Sequence, residues 1–568
     1  MAPGLLYVTM QPGPSLPPAQ FHDWYNNEHG PTRLRLPFIT NGFRFRTTDT
    51  SGSNPTSPEW LAIYDVTDMA EMKREPYLRL RRDDVKSTRE KETMAQIAIE
   101  RKLFDFVESR ECEGYVPLEA MSEAAAEAQG KEKRVLVAIT QTLHADQEEE
   151  FNNWYRTEHL PLLSKVPGWL RTRRFVSSAV EPTETKEYLS LHEYVSHEGP
   201  SGPEIQAMNA TPWRERVMST VVRGRSRRVY EHYYTFGPAP RDLSSLSTET
   251  AIPFTSPDGL TKALPPSATP TTSLPAIESY ITTADNVRIP YRLEGNTTDP
   301  HAPLLLLSNS ILTHHAIWTD FITAFFAKPQ NRQYRILRYL TRGRARDCGE
   351  KPVTLDVLAE DIIALLDALR VPRAKALVGV SLGGATVLNT SLKYPGRTAG
   401  FVACDTNPVA PAANRKAWGE RIQMAEGEGM VDKVSGERLV GERLAEVTVK
   451  RWFTEEGYGD DGVGGKGRAG RVREMVRDNS LEGFRRGVEA LFQYDLREEM
   501  KGYDGTEGRA AFLVGKEDGV LPKTMREMVG MMGGGAEFFE VEGAGHLPMV
   551  ERPERVAEVI GGFLEGVK

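Results

Sequence analysis

Gly379-Val380-Ser381-Leu382-Gly383 follows the apolar run Ala376-Leu377-Val378 and precedes a helix-compatible run from Ala385 to Leu392. A G-x-S-x-G between a strand and a helix restricts the fold sharply. The serine must sit on a sharp turn with its hydroxyl pushed out of the sheet, and flanking side chains larger than hydrogen would collide there. The helix that follows aims free backbone N–H groups at the same spot.

Two further polar residues come in an order that matters. Asp518 follows the apolar run Ala511-Phe512-Leu513-Val514, and His546 follows Phe538-Phe539-Glu540-Val541. Both stand at the C-terminal tips of candidate strands, where open parallel sheets place their sites. A serine hydroxyl is a poor nucleophile until an imidazole removes its proton, and a carboxylate holds that imidazole in the right tautomer. Ser381, His546 and Asp518 are the candidate catalytic residues. Glu517, adjacent, and Asp405, at the end of the strand after the elbow, are rival acids.

At 568 residues the chain exceeds one core, so two to four domains are expected. A charged content of 26% beside 39% hydrophobic residues fits folded domains rather than disorder. The net charge of -8 gives no footprint for nucleic acid. No apolar run approaches the roughly 20 residues of a membrane span, and the N-terminus lacks the pattern of a signal peptide. The 3 cysteines are far apart without metal-ligand spacing, which fits a reducing compartment and a cytoplasmic protein. The chemistry asks for no cofactor and no metal.

The front half is duplicated. Phe21-His22-Asp23-Trp24-Tyr25-Asn26-Asn27-Glu28-His29 reappears as Phe151-Asn152-Asn153-Trp154-Tyr155-Arg156-Thr157-Glu158-His159, an offset of 130 residues. Each copy reads strand, helix, strand, strand, helix, strand, a ferredoxin-like α+β unit. The boundaries are 1–120 and 130–236. These units resemble the EthD-like members of the dimeric α+β-barrel superfamily, which carry W-Y-x-x-E-H before a proline. The resemblance implies that two units in one chain close a barrel internally. His29 and His159 are candidate site residues of that barrel, against the alternative of a capping and packing motif repeated with the fold. Residues 237–276 are rich in Ser, Thr and Pro and read as a linker.

Residues 277–568 alternate strands and helices after an antiparallel hairpin, which argues for a parallel α/β sheet. This half resembles the α/β-hydrolase fold, and within it the 3-oxoadipate enol-lactonases. The carrying residues are Leu307-Ser308-Asn309-Ser310, Trp318, the helix Leu358 to Leu369, the elbow, Trp418 with Arg421-Ile422, Arg451-Trp452-Phe453 and Asp495-Leu496-Arg497. The resemblance implies an acyl hydrolase with a helical cap, at about 405–505. The backbone N–H groups of Leu382 and Ser310 are the expected oxyanion donors; Asn309 is an alternative through its side chain. Members of the family carry Asp-x-Arg-Gly-His-Gly where this chain has Leu340-Thr341-Arg342-Gly343-Arg344-Ala345. Arg342 is a candidate fork for a substrate carboxylate, against the alternative of a solvated basic turn. Trp318, Trp418 and Trp452, with Asn309, complete the candidate pocket. The glycine-dense stretch 456–467 reads as a mobile cap loop.

The expected fold is multi-domain, a duplicated ferredoxin-like α+β barrel followed by an α/β-hydrolase with a cap. The leading function is a serine hydrolase acting on a small-molecule lactone or ester. A second reading adds a lyase, isomerase or decarboxylase step in the barrel. A third makes the barrel a dimerisation or docking module, which admits a homo-oligomer.

Overall fold

The computed structural model of the chain describes residues 2–48, 58–120, 134–247, 251–266, 274–299, 301–459, 467–506 and 508–567. Two compact units result, Met1–Pro240 and Arg241–Lys568. Most of the expected cap loop at 456–467 lies outside the described residues.

The first unit is a closed eight-stranded barrel. Its strands are β1 (Gly4–Pro12), β2 (Ile39–Thr47), β3 (Trp60–Val66), β4 (Ile97–Glu111), β5 (Val135–Leu143), β6 (Trp169–Ser177), β7 (Glu187–Tyr194) and β8 (Val222–Thr235). Around the barrel they run β1-β3-β2-β8-β5-β7-β6-β4, with β4 back on β1. The last strand of each repeat pairs with both repeats: β4 lies between β1 and β6, and β8 between β5 and β2. Successive side chains point to opposite faces of a strand. Leu5 and Tyr7 join Phe43, Leu61, Leu136 and Leu189 in a core built from strands of both repeats. Leu6, Val8 and Met10 pack under Phe21, Trp24 and Tyr25 of the first repeat's helix. Both faces are buried, so β1 reads as a continuous apolar run rather than an alternating one.

In each repeat the first helix contains one π-helical turn, Tyr25–His29 and Tyr155–His159. The wider turn stacks the ring five residues on, so His29 lies 4.6 Å from Trp24 and His159 lies 4.5 Å from Trp154, centroid to centroid. Such turns collect at functional sites.

The second unit holds a ten-stranded sheet: β9 (Phe254–Thr255), β10 (Lys262–Leu264), β11 (Ala276–Thr282), β12 (Arg288–Gly295), β13 (Leu304–Ser308), β14 (Arg335–Tyr339), β15 (Ala376–Val380), β16 (Gly400–Cys404), β17 (Arg509–Gly515) and β18 (Glu537–Val541). The order is β18-β17-β16-β15-β13-β14-β12-β11-β10-β9, with β13 to β18 parallel and β9 to β12 antiparallel. Chain direction across the sheet reverses at β13, and sites form outside the carboxyl ends of strands at such a point. Between β16 and β17 the chain forms several helices, among them Asn414–Glu428, Glu442–Trp452 and Arg468–Arg477, in the expected cap region.

The segment 237–276 is not a free tether throughout. β9 and β10 extend the sheet beside β11, and Leu243, Leu246, Phe254 and Ala263 are buried. These four apolar residues are diluted in a polar, proline-rich composition. β10 covers the Ala276–Glu278 end of the β11 edge, which would otherwise expose unpaired backbone groups.

Arg342 also departs from expectation. Its guanidinium donates to Asp361 from Nε at 2.7 Å and to Asp285 from Nη1 at 2.7 Å, and its side chain is 2% exposed. It ties the β11–β12 turn, the loop after β14 and the helix Leu355–Ala368 together. Both edges of the fork are taken by protein carboxylates, so it is neither a solvated turn nor a substrate clamp. Removing one partner of a buried ion pair strands the others. Arg342→Met should therefore cost about 3–5 kcal/mol of stability, read by denaturant unfolding. A loss below about 1 kcal/mol would reject the pin.

Burial holds the barrel's His192 down to about 3; His22 is likewise held at about 3 by burial and then Arg44. A histidine whose folded value is depressed supports stability above its unfolded value of about 6.5 and loses it as pH falls. His192 alone accounts for about 2 kcal/mol lost by pH 5. Amide exchange of the barrel strands, corrected for intrinsic rate, should show less protection at pH 5 than at pH 7.5. Equal protection would contradict this.

Candidate active site

Ser381 joins β15 to the helix Leu382–Lys393 with φ 58° and ψ −116°, in the left-handed region that a non-glycine residue adopts only under constraint. Its N–H donates to the Cys404 carbonyl at 2.9 Å, and its carbonyl accepts from the Ala385 N–H at 3.0 Å. A Cβ on Gly379 would strike the Gly383 carbonyl, and one on Gly383 would strike the backbone of Ser308 and Asn309. The two glycines therefore let the helix start press against both its own strand and the loop after β13.

That loop carries the expected second oxyanion donor. Leu382 opens the helix, so its N–H has no intrahelical acceptor. Ser310 is 2% exposed, its carbonyl accepts from the Thr313 hydroxyl at 2.7 Å, and its own hydroxyl is buried without a partner among the described residues. The amide nitrogen of Asn309 donates to the Tyr339 carbonyl at 2.7 Å, so that donor is already committed to holding the loop.

The Asp518 carboxylate accepts from His546 Nδ1 at 2.7 Å. That bond places the ring proton on Nδ1 and leaves Nε2 as the acceptor. Glu517 points elsewhere, accepting from the Ala544 N–H at 2.9 Å. Asp405 lies closer to the pair: one donor atom each from Asp405, Asp518 and His546 falls within 4.8 Å of the others. It is 1% exposed and accepts from the Gly515 N–H at 2.9 Å. Burial, then the neighbouring Asp518 charge, pushes its carboxyl well above the usual range. Two carboxyls and an imidazole are also a possible metal ligand set, but a metal there would have to replace the His546–Asp518 hydrogen bond. Among the described residues the Ser381 hydroxyl has no hydrogen-bond partner; such bonds often tighten only with substrate bound.

Two residues that sequence reasoning did not single out for this purpose hold the histidine loop. Glu551 accepts from the Gly545 N–H at 2.7 Å and from the Thr454 N–H at 2.9 Å. Trp452 accepts the His546 N–H on its carbonyl at 2.7 Å and stacks its ring on the imidazole at 5.8 Å. The loop is thereby fastened to the cap. Trp452 was a candidate by family pattern, whereas nothing marks Glu551 in sequence. Trp318 is wholly buried against Phe321, and Trp418 packs on Phe484 with the Arg421 guanidinium 4.4 Å over its ring; both are core residues of their layers. His29 and His159 belong to the barrel.

Residues 305–559 match the model of the alpha/beta hydrolase family. The same half is similar to 3-oxoadipate enol-lactonase 1 of Acinetobacter baylyi, 26% identical over 269 residues, 47% of this chain and 91% of that protein. It is also similar to 3-oxoadipate enol-lactonase 2 of that bacterium, 28% identical over 220 residues, 39% of this chain and 73% of that protein. A solved enol-lactonase from Burkholderia xenovorans LB400 aligns at 26% identity and a TM-score of 0.43, covering 50% of this chain and 99% of its own. The C-terminal region of this chain is an alpha/beta hydrolase domain.

Proposed function

We propose that the C-terminal domain hydrolyses a lactone or carboxylic ester through Ser381, with His546 as general base and Asp518 as its orienting partner. The observation that carries this reading is the 2.7 Å bond between His546 and Asp518, in the sheet whose strand β15, separated from β17 by β16, ends at Ser381. The similarity to enol-lactonases supports the substrate class.

In this mechanism His546 Nε2 accepts the Ser381 proton as Oγ bonds to the substrate carbonyl carbon. The carbonyl oxygen becomes an oxyanion held by the N–H groups of Leu382 and Ser310. The tetrahedral carbon then expels the ring or ester oxygen, which takes the proton from His546. Water, deprotonated by the same imidazole, attacks the acyl-enzyme and releases the acid. Asp518 stabilises the imidazolium in both halves.

Ser381→Ala should lower hydrolysis of p-nitrophenyl acetate and dihydrocoumarin by at least about a thousandfold, and Asp518→Asn by about ten-thousandfold. Asp405→Asn, at a carboxyl that does not bond the His546 ring, should stay within about tenfold. Circular dichroism checks that each variant folds. Retained turnover in Ser381→Ala defeats the mechanism. Equal losses in the two aspartate variants defeat the assignment of Asp518 as sole partner.

A further inference from the structure

The two barrel repeats treat the same histidine differently. In the first, His29 Nδ1 meets Glu90 Oε1 at 2.7 Å. Glu90 is the third residue of the helix Thr88–Met94, capped by Ser87. In the second, the third residue of the corresponding helix Pro212–Arg216, capped by Thr211, is Arg214. The cap hydroxyls confirm the correspondence: Ser87 donates to Glu28 at 2.5 Å, and Thr211 donates to Glu158 at 2.8 Å. A carboxylate beside the first histidine is thus a guanidinium beside the second.

The space differs too. In the first repeat Phe236 stacks on Tyr25 at 5.6 Å and on Tyr64 at 5.7 Å, and a Cβ on Gly30 would strike it. In the second repeat a solvent-open cleft, with about 50 Å³ of room for the centres of water-sized molecules, reaches His159 and His192 between apolar walls that include Leu163 and Met208. Arg214 and Arg225 line it as well. Neither makes an ion pair with a carboxylate among the described residues. No carboxylate is among the described residues that line the cleft.

Buried polar atoms point the same way. His192 is 2% exposed, and its Nε2 has no partner among the described residues. Trp169 Nε1 donates to the Thr172 hydroxyl at 3.0 Å, and that hydroxyl lies 2.9 Å from His192 Nδ1. The assignment that satisfies the hydroxyl proton has it donate to Nδ1, which leaves an N–H on the unpartnered Nε2. Gln141, also 2% exposed, has an unpartnered Oε1 in the same cleft. Unpaired buried donors and acceptors are costly, and a ligand that pairs them relieves the cost.

We propose that the second-repeat cleft binds a small cyclic hydroxy-carboxylate. Its carboxylate takes the place that Glu90 fills in the first repeat, facing Arg214, Arg225 and the histidines. Its hydroxyl donates to Gln141, and its ring lies on the apolar wall. The site is independent of the hydrolase reading.

Calorimetric titration of the full-length protein with salicylate tests this, with salicylamide as the neutral counterpart. Salicylate should bind one site per chain, at least tenfold more tightly than salicylamide. Arg214→Glu, which supplies the missing carboxylate from the protein, should weaken salicylate at least tenfold. So should Arg225→Gln, at an exposed position where folding is not at risk. Ser381→Ala should leave the affinity unchanged. No binding, equal affinity for the amide, or no loss in either arginine variant would overturn the proposal. Loss of binding in Ser381→Ala would move the site to the hydrolase domain and overturn it equally.

Discussion

Close approach of backbone to backbone at the elbow governs the hydrolase unit. The helix Leu382–Lys393 can begin where it does only because Gly383 touches the chain at Ser308 and Gly379 touches the chain at Gly383. This contact sets the left-handed backbone at Ser381, exposes its hydroxyl and brings the first N–H of the helix to the loop after β13. The position of that N–H is therefore not an addition to the fold. It follows from how tightly β13, β15 and one helix are forced together.

The acid side of the site is built differently. Asp518 and Asp405 stand at the ends of adjacent strands, close enough for burial and the Asp518 charge to push the Asp405 carboxyl up. Asp518 is the one that pairs with His546. Glu551 and Trp452 then tie the histidine loop to the cap, the Trp452 carbonyl through the His546 backbone N–H and its indole through the imidazole ring.

Much of this was legible in the residues. Apolar runs of four or five residues marked the parallel strands, the 130-residue offset marked the duplication, and the chain order of Asp518 and His546 pointed to a pair that the fold brings together. What escaped shares one cause: partners distant in sequence. Arg342 looked like part of a basic turn because its carboxylates lie 57 and 19 residues away. Phe254 and Ala263 vanished into a polar average, although β10 covers one end of the β11 edge. Glu551 is one acid among many until its acceptor role is seen in space. The difference between Glu90 and Arg214 became meaningful only once their capping residues established that the positions correspond.

The barrel closes through strands lent across the duplication, β4 onto β6 and β8 onto β2. In a ring assembled from two identical chains every substitution is made twice, and both clefts must change in step. Covalent joining abolishes that bookkeeping. One copy can fill its interior with Phe236 and serve as a girder while its twin stays hollow, and neither alteration is imposed on the other.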